Sequence, residues 1–148
     1  LLTSSKAALE KGAYILKEGH RSENDLILIA TGSEVSLAVE AQAKLALEGI
    51  SARVVSMPSW EIFDAQSEDY RSSIFPPHIP RLAIETGVSL AWHRYTCHLS
   101  TNSWDGAKTV LGVDRFGASA PYKVLFEQYG FTVENVVGRA KELLNSSK

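Results

Sequence analysis

The feature that most constrains this chain is an unbroken apolar run, Leu26–Ala30, followed at once by turn residues and a helical pattern. A run without polar alternation is typical of a strand that is covered on both faces. Thr31, Gly32 and Ser33 predict a turn with N-cap chemistry, and Glu34 stands in the first turn of the helix that follows. The fold therefore needs helices above and below this strand.

The apolar run is the first element of a predicted strand–helix–strand unit. The pattern predicts a helix from about Glu34 to Glu48, with Glu34 on its polar stripe and Gly49 as a C-cap candidate. Ala52–Met57 then predicts a second buried strand. Two strands joined by a helical crossover run parallel, so the fold class is α/β.

Shorter apolar segments extend this unit into one domain covering all 148 residues. Five strands with helices on both sides is the expected architecture. The other predicted strands lie at Gly12–Lys17, Arg81–Thr86 and Lys108–Val113, and the other helices lie within Trp60–Phe75, at Ser89–Tyr95, from Pro121 to Tyr129, and at Val133–Leu144 after a Thr132 cap.

Composition excludes several classes of partner. The formal net charge is −2 and no run of Lys or Arg occurs, so neither nucleic acid nor an anionic membrane is an expected partner. Leu26–Ala30 is the longest apolar stretch and is far shorter than the ~20 residues that span a bilayer. Cys97 is the only cysteine, which fits a reducing compartment, and we expect a cytoplasmic protein.

The position of methionine suggests how the chain arose. The sequence starts at Leu1, and its only methionine is Met57. We therefore expect this chain to be a piece of a longer polypeptide.

Two corners at strand ends are candidates for binding an anion or a neighbouring domain. Gly32 and Ser33 lie between a strand and a helix N-terminus, where backbone N–H groups can hold a phosphate, although Glu34 would repel an anion and a simple capped helix is the alternative. Asp114 and Arg115 follow the last predicted strand, at the end of a parallel sheet that binds ligands. A local ion pair between them is the competing interpretation.

The remaining reactive side chains give no convincing active site. Gly117–Pro121 resembles a hydrolase nucleophile elbow, but no histidine follows Ser119, so a helix cap is the favoured role for this serine. A second group fits no standard zinc spacing and is interpreted as loop and surface residues: His93, Cys97, His98 and Asp105.

One acidic residue within an apolar strand needs a partner. Glu85 falls inside the predicted strand Arg81–Thr86, where an ionised carboxylate is unfavourable unless it is paired. Arg94 is the expected partner, because it is the nearest arginine that follows.

Three stretches together resemble the C-terminal domain of the transketolase family. They are Ile29–Val35 (IATGSEV), Val54–Trp60 (VVSMPSW) and Gly112–Pro121 (GVDRFGASAP). They occur in the family's order and at about its spacing, and the similarity runs from about Lys6 to Leu144. The resemblance implies a three-layer α/β/α domain with a five-stranded, mostly parallel sheet whose first strand is antiparallel.

The resemblance also implies a parent enzyme. Transketolases are homodimers that use thiamine diphosphate and Mg²⁺ or Ca²⁺ to transfer a two-carbon ketol unit between sugar phosphates, in the pentose phosphate pathway and the Calvin cycle. In that family the cofactor and substrates are bound by the preceding domains, so no catalytic, cofactor-binding or metal-binding residue is expected here. The domain is then structural, with the preceding domains and the dimer partner as its contacts. A plant parent would place it in the organellar stroma.

Two other functions stay open at this stage. One is a regulatory module that binds a phosphorylated ligand at Gly32 and Ser33 or at Asp114 and Arg115. The other is the equivalent domain of a different thiamine enzyme, such as deoxyxylulose phosphate synthase or a 2-oxoacid dehydrogenase β chain.

Overall fold

A computed structural model describes residues 6–96, 109–113 and 126–146 of the chain. Within them the strands are β1 (Tyr14–Lys17), β2 (Leu26–Ala30), β3 (Ala52–Ser56), β4 (Arg81–Ile84) and β5 (Val110–Leu111). They form one five-stranded sheet in the order β1-β3-β2-β4-β5. β1 pairs antiparallel with β3, and the other pairings are parallel, which confirms the expected fold.

Most of the described helices begin at or close to the residues predicted from the sequence. They are α1 (Lys6–Leu9), α2 (Glu34–Leu47), α3 (Trp60–Asp64), α4 (Glu68–Ile74), α5 (His93–Thr96) and α6 (Val133–Ser146), with a 3-10 turn at Ser89–Trp92. The hydroxyls of Ser59 and Ser67 accept hydrogen bonds from backbone N–H groups in α3 and α4. Thr132 accepts from the Asn135 N–H at 3.2 Å, so the predicted cap of the last helix is confirmed.

Strand β2 shows why the domain has three layers. Its side chains alternate between the two faces of the sheet, as the pleat of a strand requires. Leu26, Leu28 and Ala30 pack in a core with α2 and α6, whereas Ile27 and Ile29 pack in a second core with α3, α4 and α5. All five are fully buried, so the continuous apolar run is explained by burial on both faces.

The two cores have different compositions. The core under α2 and α6 is mainly aliphatic and includes the buried Leu45 and Val136. The other core is rich in aromatic rings, with Trp60 and Trp92 in an edge contact at a centroid distance of 5.0 Å. Phe63 is 2% exposed and lies in the same core, where its ring contacts the ring of Tyr95. Aromatic edge contacts of this kind stabilise a core beyond the area they bury.

Some predicted boundaries and faces were wrong. Glu34 is buried rather than on the exposed stripe of α2. Strand β4 ends at Ile84, one residue before Glu85, and β5 is shorter than predicted.

Gly49 follows the C-terminal end of α2 with a positive φ of 79°, a conformation that favours glycine and ends the helix.

No helix among the described residues has the length and apolarity needed to cross a membrane.

Candidate functional site

The carboxyl edge of the parallel strands is the first place to look for a site. From β2 the chain passes through α2 to β3 on one side, and then crosses to β4 on the other side of β2. Such a switch in direction opens a crevice where α/β sheets bind ligands. The segment Thr31–Glu34 lies at this point, directly after β2.

The local hydrogen bonds show how this corner starts helix α2. Gly32 has a φ of 56°, which lets the chain turn, and the Glu34 N–H donates to the Thr31 carbonyl at 3.2 Å. Ser33 has helical backbone angles and makes no side-chain cap. Its hydroxyl instead donates to Glu34 Oε1 at 3.0 Å. The prediction of N-cap chemistry by Ser33 was therefore wrong, because a cap residue needs an extended backbone.

The Glu34 carboxylate itself lies at the start of the helix. The residue is only 3% exposed, and a Cβ on Gly32 would lie 3.8 Å from Glu34 Oε2. A negative charge at this position is favoured by the helix dipole and opposes a second anion there. An anion or interdomain role for Gly32 and Ser33 remains a prediction.

The expected ion pair between Glu85 and Arg94 does not form. Glu85 Oε1 accepts from the Gly87 N–H at 2.9 Å, so the carboxylate is used within its own turn. Arg94 Nη2 donates to Asp64 Oδ2 at 2.7 Å. The prediction was wrong because it considered only neighbours along the chain, whereas Asp64 comes from α3.

Asp64 joins Arg94 and Tyr95 in a small polar cluster beside the aromatic core. The Tyr95 hydroxyl donates to Asp64 Oδ1 at 3.1 Å. Burial, and then the hydrogen bond to the Asp64 carboxylate, raise the pKa of Tyr95 to about 12. The hydroxyl therefore stays protonated at neutral pH and holds α5 against α3.

Several predicted site residues lie outside the described residues: Asp114, Arg115, Ser119, Cys97, His98 and Asp105. His93 is described and begins α5. Across residues 6–96, 109–113 and 126–146, no three His, Cys, Asp or Glu side chains come together in a group that could hold a metal ion. The described part of the chain thus offers no set of ligands for a divalent cation.

Two cavities open on the described surface. One, of ≈ 430 Å³, lies at the amino ends of β2 and β4 and is lined in part by His78 and Glu23, with 3.8 Å between His78 Nε2 and Glu23 Oε1. The other, of ≈ 280 Å³, lies between α3, α4, α5 and the start of β4 and is lined by Arg71, Arg81 and Arg94. Sequence reasoning missed this second cavity because its arginines come from three separate elements.

Comparison with known proteins identifies the family. The model of the transketolase-like C-terminal domain matches residues 12–132. This chain belongs to the transketolase C-terminal domain family. Transketolase from Geobacillus stearothermophilus is 49% identical to it over 138 residues. That match covers 92% of this chain and 19% of the relative.

Solved structures agree with this assignment. Transketolase from Leishmania mexicana superposes with a TM-score of 0.82 at 38% identity, covering 97% of this domain and 19% of that chain. Transketolase from Pichia stipitis, in complex with sedoheptulose 7-phosphate, gives a TM-score of 0.84 at 37% identity and covers 99% and 20% respectively. These relatives are transketolases, which favours that parent over the other thiamine enzymes. This transketolase C-terminal domain spans about one fifth of their length.

Proposed function

We propose that this chain is the C-terminal domain of a thiamine diphosphate-dependent transketolase and that it supports the enzyme without taking part in the chemistry. The parent would transfer a two-carbon ketol unit between sugar phosphates of the pentose phosphate pathway. The match to a C-terminal family model over residues 12–132 carries this proposal. The sugar phosphate bound by the Pichia stipitis relative supports the substrate class.

The chemistry of the carboxyl edge supports a role without catalysis. Three carboxylates described there, Glu34, Glu61 and Glu85, bond to groups within their own turns. A general acid or base must reach the substrate, and a bound divalent metal needs several converging oxygen or nitrogen ligands. We therefore assign thiamine diphosphate and its metal ion to other domains of the parent.

An exposed apolar segment supports docking to another domain. Val88 is 65% and Leu90 is 77% exposed, and both follow β4 at the carboxyl edge. The segment is held in place, because the Val113 N–H donates to the Gly87 carbonyl at 2.9 Å. A fixed segment with two exposed aliphatic side chains favours an interface. We assign it to contact with a preceding domain or with the second subunit of a homodimer.

The cytoplasm is the proposed location. The single cysteine of the chain supports a reducing compartment, and the Geobacillus relative is bacterial.

An activity assay tests the absence of catalysis. The purified 148-residue chain is mixed with thiamine diphosphate, Mg²⁺, xylulose 5-phosphate and ribose 5-phosphate. We expect no ketol transfer. Turnover by the isolated chain would show that it carries its own active site.

A chimera tests the structural role. The chain replaces the matching domain in the Geobacillus stearothermophilus transketolase, and the chimera is expected to be an active dimer. Adding Val88→Asp and Leu90→Asp is expected to lower activity and weaken the dimer or the domain contact, because an interface would bury the new charges. Leu47→Asp is the matched control, since Leu47 is 89% exposed and ends α2 at the opposite edge of the sheet.

The two variants separate the possible outcomes. If the Val88/Leu90 variant and the Leu47 variant have equal activity and equal dimer stability, the assignment of Val88 and Leu90 to an interface is contradicted. An inactive chimera that folds and forms the dimer would contradict the transketolase parent itself.

A further inference from the structure

Exposed aliphatic side chains are concentrated along one rim of the domain. Five large hydrophobic side chains of the described residues are exposed, and four of them are Leu9, Ile62, Val88 and Leu90. Leu9 precedes β1, Ile62 belongs to α3, and the other two follow β4, so all four lie at the carboxyl ends of the parallel strands. Together they are named the apolar band. The fifth side chain, Leu47, ends α2 at the opposite edge of the sheet.

One end of the apolar band is fixed against α3. The Gly12 N–H donates to the Leu9 carbonyl at 3.2 Å, and the Gly12 carbonyl accepts from the Ser59 N–H at 3.0 Å. A Cβ on Gly12 would overlap the backbone of Phe63, so this turn lies directly against the helix. Leu9 and Ile62 therefore belong to contacting segments.

The other end of the band is fixed against the same helix. Trp60 begins α3, Trp92 ends the 3-10 turn that contains Leu90, and the centres of the two indole rings are 5.0 Å apart. The band thus runs from Leu9 across Ile62 to Leu90 along segments that are packed against one another. Single exposed aliphatic side chains are common, whereas a row of them on a fixed surface favours docking.

Two charged side chains beside the band make local contacts. Glu61 Oε2 accepts from the Ser59 hydroxyl at 3.1 Å, and Lys11 Nζ lies 5.1 Å from the centre of the Tyr70 ring. Neither charge needs a partner of opposite sign on a docked surface. The surface that covers the band is therefore expected to be mainly apolar.

The direction of the chain indicates which surface this is. The polypeptide enters the domain at the Leu9 end of the band, because α1 and the turn at Gly12 lead into β1. A body that covers Leu9 lies beside the entering polypeptide. We propose that a preceding domain of the same polypeptide, and not the second subunit, covers the apolar band with a mainly apolar surface. This inference rests on the proposed function, since it needs a parent enzyme in which this chain follows other domains.

Photo-cross-linking distinguishes the two partners. In the chimera with the Geobacillus stearothermophilus transketolase, p-benzoylphenylalanine, which bonds to nearby C–H groups on irradiation, replaces Ile62 or, in a second variant, Leu90. We expect both variants to give cross-linked peptides from the preceding part of the same polypeptide, in a product that stays at monomer mass on a denaturing gel. The same replacement at Leu47, which is 89% exposed at the opposite edge, is the matched control and should give no such peptides.

A charge substitution tests whether Ile62 is covered only in the whole enzyme. Ile62→Asp should leave the urea midpoint of the isolated chain unchanged, because Ile62 is 44% exposed there. In the chimera it should lower the melting temperature by about 2 °C, because the contact would bury the new charge. Leu47→Asp should change neither value.

The outcomes separate this inference from the proposed function. A cross-linked product at dimer mass from Ile62 or Leu90 would overturn the inference in favour of the second subunit, while the docking of Val88 and Leu90 would stand. Cross-linking at both positions no stronger than at Leu47 would overturn the inference and that docking together. Equal melting temperatures of the Ile62→Asp and Leu47→Asp chimeras would also overturn the inference, because the middle of the band would then be uncovered.

Discussion

The hydroxyl of Tyr95 links helix α5 to the carboxylate of Asp64 on helix α3. It is 5% exposed, contacts the rings of Trp60 and Trp92, and donates to Asp64. In water a tyrosine loses its proton near pH 10, but here burial and the adjacent carboxylate both favour the neutral form. The packing of α5 thus depends on a protonated phenol.

This dependence predicts a loss of stability at high pH. Because the pKa of Tyr95 is raised from 10.0 to about 12 in the folded chain, its contribution is complete below pH 10 and is lost as the pH rises from about 10 to about 12. Urea unfolding at several pH values measures this for the chain and for Tyr95→Phe. We expect the variant to be less stable by about 1 kcal/mol at neutral pH, with the difference shrinking above pH 10. If the difference in unfolding free energy between the chain and Tyr95→Phe stays the same at every pH, the role assigned to the phenol is contradicted.

The helices α2 and α6 show which contacts hold an element in place. Two ion pairs join them on the surface, Lys44 to Glu134 at 2.9 Å and Lys141 to Glu48 at 2.6 Å. Beneath these pairs Leu45 is fully buried in the aliphatic core. Exposed ion pairs contribute little to stability, and buried aliphatic side chains contribute a great deal.

Two substitutions on these helices should therefore differ widely in effect. Leu45→Ala is expected to lower the free energy of unfolding by about 3 kcal/mol, because it removes buried methyl groups and leaves a cavity. Lys141→Gln is expected to change it by less than about 0.5 kcal/mol. Urea unfolding followed by circular dichroism measures both. A larger effect for Lys141→Gln would mean that the surface pairs hold these helices together.

At this scale the sequence is informative where one local pattern decides the structure. The apolar run of β2 is predictable because burial on both faces requires five successive apolar residues, Leu26–Ala30. Ser33 illustrates the opposite case, since its identity suggests a cap but its helical backbone excludes one. The cavity lined by Arg71, Arg81 and Arg94 could not be predicted either, because these residues meet only after α4, β4 and α5 have packed.

In the whole molecule, one sheet separates two cores of different character. The tryptophans Trp60 and Trp92 lie on the face covered by α3 and α5, whereas Leu45 lies on the face covered by α2 and α6. Every strand side chain of β2 contributes to one core or the other. Loss of either core should therefore expose this shared strand.

Shared strands predict a single cooperative unfolding transition. Tryptophan fluorescence in a Trp104→Phe background reports on Trp60 and Trp92 in the aromatic core, and far-ultraviolet circular dichroism reports on the whole backbone. We expect the two to give the same urea midpoint in the Trp104→Phe chain with and without Leu45→Ala, even though Leu45 lies on the face opposite Trp60 and Trp92. Separate midpoints would mean that the two layers unfold independently.

The reversed direction of β1 has a consequence for a larger enzyme. Tyr14 pairs with Ser56, so the polypeptide leading into β1 arrives at the same rim as Val88 and Leu90, about 15 Å away across three strand spacings. In the proposed parent, a preceding domain would be tethered beside the surface it has to contact. Tethering gives a high effective concentration, so that even a contact too weak to form between free molecules would stay closed.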